Sequence, residues 1–90
     1  MTREGVAAVD RALTILDVFI DGGGSLTLTD ISKRSGFYKS TTLRLAESLE
    51  KFGYLRRLED GTYRLGPKPL YLGSLYQKHF RSADLVVPVL

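Results

Sequence analysis

The sequence predicts a mostly α-helical fold with one small β-hairpin, from three observations. Residues 27–36 join a helix start signal to a glycine stop, enough for about two turns of helix. Residues 39–52 repeat apolar positions at helical spacing and stop at Gly53. Two short runs, 54–58 and 62–65, flank Asp60-Gly61, a strong short-range hairpin signal. Helix, tight turn, second helix and hairpin in that order make a winged helix-turn-helix, here followed by a linker helix. Such a shape can place one helix in a DNA groove and a basic hairpin beside it.

Each element has a local cause. Residues 1–5 read as a frayed end. From Val6 onward Val9, Leu13, Leu16, Phe19 and Ile20 recur at helical spacing, with Asp10, Arg11, Thr14 and Asp17 between them. Asp21-Gly22-Gly23-Gly24 ends this helix, because consecutive glycines carry a high entropic cost in any regular element. Ser25-Leu26 reads as a short strand that pairs with the hairpin. Thr27 caps the second helix, with Asp30 as the reciprocal partner of a capping box. Leu28 and Ile31 face inward, Lys33 and Arg34 suit the negative end of the dipole, and Gly36 supplies a left-handed stop.

On the third helix Thr42, Leu45, Ala46, Leu49 and Phe52 share the expected core face. The other face carries Lys39, Ser40, Leu43, Arg44, Glu47 and Glu50, basic first and acidic later. Only the leading half can approach phosphates. A two-residue turn in the hairpin would set Leu58 opposite Tyr63, Arg56 opposite Leu65 and Arg57 opposite Arg64. Like charges facing one another destabilise a ribbon unless an anion lies over them, so Arg57 and Arg64 read as a phosphate-facing pair, against the alternative that both splay into water. Pro69 is placed to open another helix, with Leu70, Leu72, Leu75, Tyr76 and Phe80 as its apolar stripe and Gly73 allowing close approach. This helix and the first are expected to pack against their copies in a second subunit. Ser82 reads as the cap of a further helix, and the apolar end of the chain as the start of a following domain, against a short native tail.

Composition excludes several functions. Ninety residues allow one small domain, and the absence of cysteine removes disulfides, thiolate metal sites and cysteine nucleophiles. The stretch 6–20 is broken by Asp10, Arg11 and Asp17 and is too short and polar to span a membrane. A start at Met1 without a targeting segment reads as cytoplasmic. The charge is +3 in all but unevenly spread. Residues 1–32 hold Arg3 and Arg11 against five carboxylates. Residues 33–68 hold nine cations against Glu47, Glu50, Glu59 and Asp60. A polyanion is therefore expected on one side only. His79 lacks a second ligand or paired carboxylate and reads as a surface residue. Ser40 and Thr41 have no base partner, and Gly22-Gly23-Gly24 follows a helix rather than preceding one, so no phosphate loop is formed. No enzymatic constellation and no cofactor site emerge.

With these residues in place, the chain resembles the N-terminal domain of IclR-type bacterial transcriptional regulators. The matching pieces are VDRALTILDVF (9–19), LTLTDISKRSG (26–36), KSTTLRL (39–45), LEKFGYL (49–55) and DGTYRLG (60–66), in one ungapped register. The resemblance implies a winged helix-turn-helix at 1–66, a linker helix at 67–81 and, at 82–90, the start of an absent C-terminal effector-binding domain. It further implies a repressor-type regulator that binds a palindromic operator in double-stranded DNA as a homodimer, or a higher oligomer at full length. A small organic effector would act through the absent domain. Lys39, Ser40, Thr41 and Arg44 fall on the family's recognition-helix motif, and Tyr63, Leu65 and Gly66 on its wing signature.

Two departures stand out. Phe37-Tyr38 replaces the usual Leu-Pro, which leaves Tyr38 free to meet a sugar or phosphate. Leu43 takes a groove-facing place that is often polar, where it can meet a thymine methyl or simply be an ordinary exposed leucine. Arg44 is the candidate base reader, since a guanidinium pairs bidentately with guanine, though it also suits phosphate. Lys39, Arg57, Arg64 and Lys68 are expected on phosphates, Ser40 and Thr41 on phosphates or bases, and Tyr63 under the wing. The rival reading is a winged-helix protein-interaction or dimerisation module without DNA binding.

Overall fold

The computed structural model describes residues 5–83, with side chains through residue 79. Its order is α1 (Ala7–Gly22), α2 (Leu28–Ser35), α3 (Lys39–Lys51), β1 (Leu55–Arg57), β2 (Tyr63–Leu65) and α4 (Pro67–Ala83). The expectations for 1–4 and 84–90, and for the Phe80 side chain, lie outside the described residues.

The local signals act as read. Thr27 Oγ1 accepts the Asp30 amide at 3.0 Å, and Asp30 Oδ2 accepts the Thr27 amide at 3.1 Å, a complete capping box. The Thr27 amide donating to the carboxylate, and after it the neighbouring Thr27 hydroxyl, hold the Asp30 carboxyl below its ordinary pKa, and Arg34 and Lys33 add to the effect. A group with a lowered folded pKa stabilises the fold above its unfolded value and loses that contribution as pH falls through the folded one. Thr27→Ala is therefore expected to lower stability by about 1 kcal/mol near neutral pH. The gap to wild type should narrow below about pH 4, as measured by urea melts across pH. A gap independent of pH would mean that the hydroxyl serves only as acceptor for the Asp30 amide, since the bond from the residue 27 amide to the carboxylate survives the substitution. At the far end, Gly36 adopts φ 81° and donates its amide to the Ser32 carbonyl.

Serine hydroxyls then shape the turn into α3. Ser32 Oγ donates to the Phe37 carbonyl at 2.6 Å, and Ser35 Oγ accepts the Phe37 amide at 3.3 Å. Residues Ile15, Phe19, Leu26, Ile31, Ala46, Leu49, Leu55 and Tyr63 form the core, drawn from the first three helices, the hairpin and the segment between α1 and α2. Leu26 also trades both backbone hydrogen bonds with Tyr63, so the expected strand exists as a single bridge.

Four expectations are corrected. Phe52 is 59% exposed rather than in the core. It is the residue that leaves α3, with φ −97° and ψ 7°, so helical spacing no longer directs its side chain. In α1, where the spacing left the inward side open, Ile15 and Phe19 are buried while Val9, Leu13 and Ile20 face outward. Helix α4 opens at Pro67 rather than Pro69, and Ser82 lies within it rather than capping another helix.

The hairpin register is the fourth. Leu58 donates its amide to Thr62, and Gly61 turns back to Leu58 with φ 89°, so the loop holds three residues rather than two. The extra residue slides the pairing by one: Leu55 faces Leu65, Arg56 faces Arg64, and Arg57 faces Tyr63. Asp60 Oδ1 accepts both the amide and the hydroxyl of Thr62, at 3.0 and 2.7 Å, which braces the longer turn.

Candidate nucleic-acid interface

Helix α3 has two sides with different duties. Thr42 is 0% exposed, and its hydroxyl donates to the Tyr38 carbonyl at 2.9 Å, so a polar side chain sits in the core with its partner supplied. Ala46 and Leu49 complete the buried side. The open side begins with Lys39, Ser40 and Arg44, all exposed, while Thr41 and Leu43 are half-buried. Leu43 is thus less free to reach a groove than a wholly exposed leucine.

Tyr38 precedes this helix with its side chain 83% exposed, and it makes no side-chain cap. The first amides of α3 therefore keep the positive end of the helix dipole open beside Lys39. No acidic residue occupies that first turn, and Glu47 and Glu50 come later along the helix. The leading end is the part suited to phosphate or base edges.

The hairpin packs against α3 through β1. Pairing places Arg56 and Arg64 directly opposite one another on one face of the ribbon, both exposed. Arg56 is the candidate that the shorter turn concealed; the three-residue loop, with Gly61 in the left-handed region, places it opposite Arg64. Arg57 lies on the other face, where its guanidinium carbon stands 5.9 Å from the centre of the buried Tyr63 ring. Lys68 is half-buried, with its ammonium 5.5 Å from the centre of the Tyr54 ring. Tyr63 itself packs beneath the wing, as expected.

No group of three or more histidine, cysteine or carboxylate side chains able to hold a metal occurs among the described residues. Among those residues no helix is long and apolar enough to cross a membrane. His79 is exposed on α4.

Comparison with known proteins agrees with this geometry. Residues 8–59 match the IclR helix-turn-helix domain. Over 64 residues the chain is 45% identical to the HTH-type transcriptional regulator XynR of Escherichia coli, covering 70% of this chain and 25% of that protein. Over 86 residues it is 28% identical to the transcriptional repressor IclR of the same organism, covering 94% of this chain and 31% of the repressor. The chain therefore spans between 25% and 31% of the length of these two relatives. The crystal structure of an IclR family transcriptional regulator from Brucella abortus superposes with a TM-score of 0.77 at 31% identity, covering 89% of this chain and 32% of that one. With the matched segment running from the first helix through the recognition helix into the wing, the chain belongs to the IclR family.

Proposed function

We propose that this chain is the sequence-specific DNA-binding part of a repressor-type transcriptional regulator. The carrying observation is the leading end of α3: cationic, uncapped by any side chain and exposed, on a helix whose opposite side is locked in the core. That end enters the major groove, where Arg44 reads a base and Lys39, Ser40, Thr41, Leu43 and Tyr38 line the approach. Arg56 and Arg64 lie against the flanking phosphates, and Arg57 and Lys68 add charge at the edges of the wing.

Two copies act together on a palindromic operator. Val6, Val9, Leu13 and Ile20 make an outward apolar stripe on α1, and Leu72, Leu75 and Tyr76 are exposed on α4. Apolar surface of this extent on so small a domain calls for a partner. The relatives' greater length accommodates a further domain, through which a small organic effector would act. The protein works in the cytoplasm, on the nucleoid when bound.

Gel-shift titration on mixed-sequence duplex at two salt concentrations tests the reading. Steep weakening with salt supports it, and an absence of binding at low salt would leave a protein-interaction module instead. Arg56→Ala and Arg64→Ala are each expected to weaken binding evenly across sequences and to reduce the logarithmic salt slope by about 1. An unchanged slope in both would take the ribbon off the backbone.

A further inference from the structure

Helix α4 joins the winged domain along a seam of backbone. The amide of Gly53 returns to Glu50 and that of Tyr54 to Leu49, at 3.1 and 2.8 Å, so this corner closes the end of the recognition helix. The Gly53 carbonyl then accepts the Lys68 amide at 3.0 Å, and the Tyr54 carbonyl accepts the Gly66 amide at 2.9 Å. The first turn of α4 is thereby bonded to the residues that terminate α3. A Cβ on Gly66 would stand 2.5 Å from the Gly53 oxygen and 3.2 Å from the Leu55 oxygen, both backbone atoms, so the close approach requires glycine. The Lys68 ammonium over Tyr54 adds a side-chain contact across the same corner. Beyond this root, the side chains from Leu70 to His79 are all exposed, so the direction of α4 is set where it begins.

We propose that the Gly53–Gly66 seam is a latch that fixes the direction of α4 to that of α3, and that it sets which half-site spacing a dimer accepts. The inference rests on the DNA-binding reading and names its control. A helix of 17 residues is a lever of roughly 25 Å. A swing of about 10° at its root displaces the far end by roughly 4 Å, more than one base-pair step of about 3.4 Å. When two copies are joined through α4, a closed seam holds both recognition helices at one separation. Opening the seam leaves each helix able to read its half-site but uncouples the pair. A signal that reorients α4 would thus act on spacing before it acts on base reading.

Residual dipolar couplings on the 90-residue chain test the latch without DNA. In the wild type one alignment should fit the amides of both α3 and α4, and the Lys68 amide should exchange with solvent in step with those of Phe52 and Tyr54. In Gly66→Ala the α4 couplings should shrink while those of α3 hold. Gel shifts on half-sites chosen from random duplex should show wild type favouring one spacing by about tenfold, a preference the variant loses while keeping its single half-site affinity. Independent alignment of α4 in the wild type, or free exchange at Lys68, would overturn the latch even if the variant fails to fold. An unchanged spacing profile in a folded variant would overturn it as well. Failure of the wild type to bind any duplex sinks the DNA-binding reading instead, and the couplings still decide the seam.

Discussion

Ile31→Ala is expected to lower stability by about 2–5 kcal/mol, enough to leave much of the protein unfolded near 37 °C. Ile31 is 0% exposed and belongs to α2, where it meets core residues of α1 and α3. Its loss opens a void where α2 meets α1 and α3. A core of this size supplies only about 3–5 kcal/mol in total, so the substitution consumes most of the margin. Chemical denaturation followed by far-ultraviolet circular dichroism would measure it. A loss below about 1 kcal/mol would mean that the helices collapse onto the gap and that Ile31 is not central to their packing.

Arg44→Ala is expected to weaken binding to a selected site by about 1–3 kcal/mol and to relax preference at one position in each half-site. The side chain is exposed on the open side of α3, and no structural duty competes with a contact to DNA. Thermal stability should therefore stay close to that of wild type, which separates the effect from unfolding. Binding-site selection on wild type and variant would show the relaxed position directly. Equal losses on selected and random duplex would make Arg44 a phosphate contact and leave base reading to its neighbours.

The helices were legible because their boundary signals are local. Thr27 and Asp30 need only each other to form the box, and Gly36 needs only its own freedom at positive φ. The wing was legible as a hairpin but not in register. Asp60-Gly61 marks a turn without stating its length, and one added loop residue exchanged Arg57 for Arg56 opposite Arg64. Helical spacing found the buried side of α3 because α1, α2 and β1 pack against the helix. It left α1 undecided, where apolar residues lie on both sides and only packing sets that Ile15 and Phe19 go in while Val9, Leu13 and Ile20 stay out. The seam at Gly66 left no sequence signal beyond the glycine itself, since close approach of two backbones depends on tertiary placement.

The division of α3 bears on how such a protein could acquire a new target. Thr42, Ala46 and Leu49 anchor the helix, whereas Lys39, Ser40 and Arg44 carry none of its packing. Substitutions at those three sites should shift folding by no more than about 0.5 kcal/mol, so under the proposed function recognition would be rewritten by exchanging them in combination while the scaffold is left alone. Duplicated copies of the gene could then diverge in the DNA they bind with little penalty to the rest of the molecule.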